Sequence, residues 1–153
     1  MAINQIALEK LQHFCAYKER CHSEVRSKLI KLEVYGDSLE EIMSALIQDD
    51  FLNEERYAKA YVSGKYRINQ WGKNKIVMNL KSKRISDYCI RKGLEVINQE
   101  EYFDNLVSLL QKQKRIYSNK PLNDYQLKSK LFQFAMGKGY ETEVIKMALD
   151  ELE

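Results

Sequence analysis

The sequence contains a single proline, Pro121, and only six glycines in 153 residues. Because proline and glycine are the residues that most often interrupt helices, their scarcity leaves long stretches able to be helical. No stretch shows the sustained alternation of apolar and polar residues that a half-buried strand requires. We therefore predict an all-α protein. Its composition, 44% apolar and 31% charged, is that of an ordinary globular chain.

Cysteines and long apolar runs are also scarce. Cys15, Cys21 and Cys89 are an odd number without framework spacing, so we expect reduced thiols rather than a disulfide scaffold. No apolar run approaches the roughly 18 residues that span a bilayer, and the first residues lack the basic and apolar regions of a signal peptide. We accordingly expect a cytoplasmic protein without a membrane partner. We also expect a monomer.

Motifs for catalysis or cofactor binding are missing. The sequence has no glycine-rich phosphate loop and no H-E-x-x-H, C-x-x-C or G-x-S-x-G motif. His13, Cys15, Cys21 and His22 are potential metal ligands, but residues 13 and 15 lie about 200° apart on one helix and do not converge on one ion. We expect simple helix packing there, with no metal and no cofactor.

Four acidic residues lie close together in the sequence: Asp49, Asp50, Glu54 and Glu55. Paired carboxylates can act in acid–base catalysis. Helix capping and compensation of the helix dipole explain them without catalysis. We therefore expect a protein that is not an enzyme.

Positive charge is concentrated in the middle third of the chain. Residues 1–50 contain 6 Lys and Arg against 9 Asp and Glu, a balance of −3. Residues 51–95 contain 11 against 4, or +7, and residues 96–153 contain 8 against 9, or −1. A basic block of this kind attracts either phosphate backbones or an acidic protein groove, and composition alone does not choose between them.

A sequence repeat recurs at a spacing of 51 residues. Its copies are EVRSKLIKL (24–32), KIVMNLKSK (75–83) and QLKSKLFQF (126–134). Each copy has two apolar residues four positions apart, which are Val25 and Leu29, Ile76 and Leu80, and Leu127 and Leu131. Residues four apart lie on the same face of a helix, so each copy is predicted to be an amphipathic helix.

A further helix is predicted on each side of every copy. Downstream, helices beginning near residues 38, 86 and 141 carry the apolar pairs Ile42 and Leu46, Ile90 and Leu94, and Ile145 and Leu149. Upstream, helices are predicted over 6–19, 54–70 and 100–117. Ser38, Asn53 and Ser86 are predicted N-caps, because their side chains can accept hydrogen bonds from the first amides of a helix.

The repeat predicts three tandem three-helix units, at 1–50, 51–98 and 99–153. The middle unit carries the basic block. A unit of about 50 residues buries little surface alone, so we expect the three to pack side by side in an elongated, curved array of about nine helices.

The helix predicted over 54–70 has two different faces. Tyr57, Tyr61, Gly64 and Ile68 form one stripe at helical spacing, which we assign to the core. The opposite face is basic and able to form hydrogen bonds, and it consists of Arg56, Lys59, Ser63, Tyr66, Arg67 and Gln70. Such a face is either a solvated surface without function or a binding surface. Trp71, which follows, is either a wedge between helices or a stacking platform.

These residues resemble a known family. The segments FLNEERYAKAYV (51–62) and WGKNKIVMNLKSKRI (71–85) are similar to the central signature of the bacterial RecX regulatory proteins, and YKERCHSEVRSKL (17–29) is similar to that family's opening segment. The matching residues of the central signature are Leu52, Asn53, Glu54, Glu55, Arg56, Tyr57, Ala58, Trp71, Gly72, Lys73 and Lys75. The resemblance covers nearly the whole chain, including the three-helix layout.

The resemblance implies a protein without enzyme activity that binds the RecA recombinase filament on DNA. It would restrain the strand-exchange, ATPase and coprotease activities of RecA in recombination and DNA repair. We predict that the partner-binding surface consists of Arg56, Lys59, Tyr66, Arg67, Trp71, Lys73, Lys75, Lys81, Lys83 and Arg84. Charge reversal at Lys59 and Arg67 is expected to weaken filament inhibition. Direct binding of nucleic acid is the alternative, supported by the basic middle unit and its aromatic residues.

Overall fold

The computed structural model describes residues 3–152, and all of its regular secondary structure in that range is helical. The all-α prediction is confirmed. In chain order the helices are α1 (Gln5–Tyr17), α2 (His22–Lys31), α3 (Gly36–Gln48), α4 (Glu54–Arg67), α5 (Lys73–Ser82), α6 (Asp87–Leu94), α7 (Gln99–Tyr117), α8 (Asp124–Lys138) and α9 (Thr142–Glu151). No helix within residues 3–152 is long and apolar enough to cross a membrane.

The repeated apolar pairs form the cores, as predicted. The three repeat copies are α2, α5 and α8, and the downstream pairs lie on α3, α6 and α9. Leu94, Leu127 and Leu149 are half-buried, and the other nine residues of the six pairs are buried. Local apolar spacing therefore selects the face that each of these helices buries.

Two of the three predicted N-caps are confirmed. The Arg56 amide donates to Asn53 Oδ1 at 2.9 Å, and the Cys89 amide donates to Ser86 Oγ at 3.2 Å. The prediction for Ser38 is wrong, because α3 begins two residues earlier, after the extended residue Tyr35. Gly36 has a φ of +59°, which glycine adopts at little cost, and this allows the helix to begin there.

The chain forms two compact units that are discontinuous in sequence. The first unit contains Met1–Ala60 and Leu80–Gly93, and the second contains Tyr61–Asn79 and Leu94–Glu153. In the first, α1, α2 and α3 pack against one another around an apolar core; in the second, α7, α8 and α9 do the same. The boundaries at residues 50 and 98, which come from sequence similarity, stay a prediction.

The face of α4 that is buried agrees with the prediction near its start and differs near its end. Tyr57 is buried and Tyr61 is half-buried, in line with the predicted stripe. Tyr66, however, is completely buried, and its hydroxyl donates to Val96 O at 3.3 Å. Ile68, which directly follows α4, is 83% exposed, so its predicted place in the core stripe is wrong. The placement of Tyr66 on the exposed face is therefore wrong.

The three cysteines differ in their exposure. Cys15 and Cys21 are buried, whereas Cys89 is half-exposed. Burial raises the pKa of the Cys15 thiol to about 11 and also raises the pKa of Cys21. At pH 8, about one Cys15 in a thousand would be the reactive thiolate.

We expect an alkylating reagent at pH 8 to modify Cys89 quickly and the other two cysteines only slowly. Mass spectrometry of the native protein over time measures this difference. Cys89→Ser should abolish the fast reaction, and denaturant should make all three thiols react alike. Equal rates for the three cysteines in the native protein would contradict the burial described here.

Candidate partner-binding surface

Gly72 lies where the start of α5 meets the end of α8. Its amide donates to Lys138 O at 2.8 Å, and the Asn74 amide donates to Gly139 O at 2.9 Å. A Cβ atom at position 72 would lie 2.2 Å from the carbonyl carbon of Gly139. The first amides of α5 and the last carbonyls of α8 have no partners within their own helices. Here they form hydrogen bonds with one another. Gly72 therefore has a structural role.

The hydroxyl of Tyr102 supports the same junction. The Lys73 amide donates to the Tyr102 hydroxyl at 2.8 Å, and that hydroxyl donates to a carboxylate oxygen of Glu141. Burial and this carboxylate both raise the pKa of Tyr102, so the phenol stays protonated and remains a donor. The start of α5 is consequently held by Tyr102 of α7, whose hydroxyl is in turn bound to Glu141, the residue before α9.

Trp71 contacts two lysines. The Nζ atom of Lys65 is 4.7 Å from the centre of the indole ring, and the Nζ atom of Lys75 is 4.4 Å from it. Lys65 Nζ is also 5.4 Å from the centre of the Tyr61 ring. These are cation–π distances, so the half-buried indole attracts both ammonium groups. We call Lys65, Trp71 and Lys75 the lysine–tryptophan cluster.

The lysines around this cluster are not neutralised by acids. Lys73 Nζ contacts the Tyr102 ring at 5.1 Å and the side-chain oxygen of Gln99 at 3.3 Å. Among residues 3–152, no carboxylate oxygen lies within 4.0 Å of the ammonium groups of Lys65, Lys73 or Lys75. Their positive charge is therefore available to an anionic partner.

Arg56 has acidic partners within the chain. Its Nε atom is 2.5 Å from Glu19 Oε2, and its Nη1 atom is 3.1 Å from Asp50 Oδ2. Another of its nitrogens, Nη2, donates to the Asp50 carbonyl at 3.0 Å. The side chain is 37% exposed, and its ion pairs occupy part of the basic face that was predicted to be open. Its contacts hold the turn before α4 to the segment after α1.

Lys59 and Arg67 are also ion-paired, although both are substantially exposed. Lys59 Nζ is 3.3 Å from Glu55 Oε2, and Arg67 Nε is 3.4 Å from Glu101 Oε1. Their side chains are 43% and 52% exposed. Because a nearby carboxylate offsets each charge, these residues attract an external anion less than the lysine–tryptophan cluster does.

The remaining predicted residues lie at the end of α5. Lys81 and Arg84 are exposed and Lys83 is half-buried. Arg84 has a φ of +63°, and the following amide, that of Ile85, donates to Leu80 O at 3.1 Å. This is the hydrogen bonding of a helix that ends in a left-handed residue. No carboxylate within the described part of the chain forms an ion pair with these three cations.

Lys65 is the residue of this surface that the sequence did not predict. The Trp71 amide donates to Lys65 O at 3.0 Å, which brings the indole back toward the last turns of α4. This turn contains Gln70 at a φ of +56°. Glycine at position 70 would have indicated such a turn, but glutamine does not.

Metal ligation has no support in the part of the chain that the structure describes. Residues 3–152 contain no group of three or more His, Cys, Asp or Glu side chains placed to hold an ion. Of the four potential ligands, Cys15 is packed in the core of the first unit and the His22 ring lies beside Glu54.

Two family models match this chain. One describes the second three-helix domain of RecX and matches residues 53–94, and the other describes the third three-helix domain of RecX and matches residues 99–149. The chain belongs to the RecX family. The first match contains α4–α6, and the second contains α7, α8 and most of α9, so the predicted family and the three-helix grouping of these six helices are confirmed.

Individual RecX proteins are similar to this chain over most of its length. The regulatory protein RecX of Bacillus mycoides (strain KBAB4) is 32% identical over 91% of this chain and 51% of the relative. The regulatory protein RecX of Lactococcus lactis subsp. cremoris (strain SK11) is 31% identical over 92% of this chain and 53% of the relative. The chain thus spans about half the length of these curated relatives.

Solved RecX structures share the fold. The crystal structure of RecX from Lactobacillus salivarius matches with a TM-score of 0.87 and 26% identity, and the match covers 97% of this chain and 95% of that one. A second crystal structure, of a regulatory protein RecX, matches with a TM-score of 0.85 and 23% identity, covering 95% of this chain and 71% of that one. The second likeness concerns the fold alone.

Proposed function

We propose that this RecX-family protein binds the RecA recombinase filament on DNA and lowers its ATPase, strand-exchange and coprotease activities. The proposed action requires no catalysis by this chain. The observation that carries the proposal is the lysine–tryptophan cluster, of which Trp71 and Lys75 belong to the RecX-like signature and whose lysines have no carboxylate within 4.0 Å among residues 3–152. The names of the relatives, which are regulatory proteins, support the same role.

The cluster suits an anionic partner for a physical reason. Ammonium groups without carboxylate partners produce a field that speeds the encounter with negatively charged surfaces, and salt screens that field. The indole keeps Lys65 and Lys75 near each other through cation–π attraction. Because these side chains are already held in place, less side-chain entropy is lost when a partner binds. A filament of RecA on DNA offers both phosphates and acidic side chains as partners.

Direct binding to nucleic acid is the second candidate. It is favoured by the same uncompensated lysines, since a protein that contacts phosphates needs cations without internal partners. The two candidates differ in what the protein recognises. A filament regulator binds only where RecA is present on the DNA. A nucleic-acid binder binds the DNA alone.

We expect the protein to bind RecA-coated single-stranded DNA at least about tenfold more tightly than the same DNA without RecA at physiological salt. Fluorescence anisotropy of the labelled protein measures both affinities. The filament is held in its nucleotide-bound form with a slowly hydrolysed ATP analogue, so that its length stays constant. Equal affinities with a steep loss of both as salt rises would favour the nucleic-acid binder instead.

A further inference from the structure

A surface pocket of about 490 Å³ lies in the first unit, and none of its lining residues belongs to the lysine–tryptophan cluster. The residues that line it come from three segments: the first turns of α2, the first residue of α4 and the turn after α5. The Ser23 hydroxyl donates to Lys83 O at 3.2 Å, which fixes the turn after α5 to α2. The pocket is therefore built by tertiary contacts and not by one helix alone.

The acids near this pocket already have partners. Glu54 accepts a hydrogen bond from the His22 amide at 3.2 Å and lies 3.7 Å from Nδ1 of the same histidine. Arg26 forms a two-pronged ion pair with Glu40, with distances of 2.6 and 3.2 Å. The Glu40 carboxylate is thus offset by Arg26, and the Glu54 carboxylate, which lines the pocket, is hydrogen-bonded by the His22 amide.

Two cations of the pocket remain uncompensated. Lys83 and Arg84 have no carboxylate within 4.0 Å among residues 3–152. Ser27, on the α2 side, adds a hydroxyl to the same lining. Donors from two sides of a concave site, together with excess positive charge, match an anion that offers several acceptor oxygens.

We propose that this pocket binds a phosphate group. A phosphate presents oxygens in a tetrahedral arrangement and meets donors from several directions, whereas a carboxylate presents two oxygens in one plane. The phosphate belongs either to a nucleic-acid backbone or to a small molecule, since the chemistry is the same. The inference does not depend on RecA, so it can fail or succeed separately from the proposed function.

Arg84 offers an unusually clean test. Its φ of +63° is a conformation that glycine adopts more readily than arginine, so Arg84→Gly should keep or raise the melting temperature while removing the guanidinium. Lys83→Gln removes the second charge and leaves the backbone carbonyl that Ser23 contacts. Lys31→Gln is the matched control, because Lys31 is an exposed lysine at the opposite end of α2.

The first measurement uses a labelled single-stranded oligonucleotide without RecA, titrated at several salt concentrations. We expect Lys83→Gln to weaken binding and to reduce the salt dependence by about 0.7 in the logarithmic slope, the value for one lost phosphate contact. Arg84→Gly should behave in the same way. Lys31→Gln should leave the slope unchanged.

The second measurement uses inorganic phosphate and reads the melting temperature at constant ionic strength. Phosphate in place of chloride should raise the melting temperature of the parent and of Lys31→Gln by more than that of Arg84→Gly, because phosphate also stabilises every variant by exclusion from the protein surface. An effect of the pocket variants in either measurement supports the phosphate site and identifies its source. If neither measurement separates the pocket variants from Lys31→Gln, the attraction is diffuse and the proposal is wrong.

Discussion

Replacing Gly72 by alanine is expected to destabilise the protein by about 3 kcal/mol or more, one of the largest effects of any single methyl group in this chain. The added Cβ would lie 2.2 Å from both the Gly139 carbonyl carbon and the Tyr140 amide nitrogen. Both atoms belong to the backbone, so no side chain can rotate away. The junction between α5 and α8 would have to open, and its hydrogen bonds would be lost.

Gly64→Ala is the matched control for this substitution. Gly64 lies within α4, and a Cβ there would meet nothing within 4 Å. Alanine is favoured over glycine in a helix by about 1 kcal/mol, so this variant should be more stable than the parent. Urea unfolding followed by circular dichroism and by the fluorescence of the single tryptophan measures both. Similar unfolding midpoints for the two variants would contradict the close approach at Gly72.

Reversing both lysines of the lysine–tryptophan cluster should weaken binding to the RecA filament at least about tenfold. Lys65→Glu with Lys75→Glu replaces two uncompensated ammonium groups by carboxylates. The loss should appear mainly in the association rate and should shrink at high salt, because the effect comes from a screened field. Stopped-flow binding to labelled filaments at two salt concentrations provides both quantities.

A second double variant controls for the change in net charge. Lys10 and Lys31 are exposed lysines outside the signature segment, and reversing both changes the net charge by the same amount. This variant should bind the filament nearly as the parent does. Melting curves should show that both double variants are folded. Equal losses in the two would mean that overall charge, and not the cluster, governs binding.

Lys59 and Arg67 should now matter less than their sequence pattern suggested. Glu55 and Glu101 lie 3.3 and 3.4 Å from their cationic nitrogens, and such partners reduce the field that an external anion meets. We therefore expect their charge reversal to weaken inhibition less than reversal of Lys65 and Lys75. That ordering follows from ion pairing, which the helical spacing of the residues does not reveal.

The fold was largely predictable because its determinants are local. Pairs such as Val25 and Leu29 or Ile42 and Leu46 show the buried face of each helix directly in the sequence. The face of α4 was harder to predict because its end depends on distant residues. The Tyr140 hydroxyl donates to Gln70 O at 2.9 Å across 70 positions, and this contact helps to fix the turn that leaves Ile68 exposed.

The position of the basic surface was predictable from the sequence. The ion pairs that its cations form with carboxylates of the same chain were not. Counting charges locates the block at residues 51–95. Which cations are neutralised depends on contacts such as Arg56 with Glu19, 37 positions apart. The role of Gly72 could not be predicted from the sequence for the same reason. A side chain at position 72 is excluded by the backbone of Gly139, which lies 67 positions away, after α8.

The most direct test of the proposed function is the rate of ATP hydrolysis by RecA filaments on single-stranded DNA as the parent protein is added at physiological salt. The proposed function predicts that hydrolysis falls progressively with added protein. It also predicts that the Lys65→Glu, Lys75→Glu variant needs a higher concentration for the same fall. Hydrolysis that stays constant while the folded parent protein is in excess over RecA would contradict the proposed function.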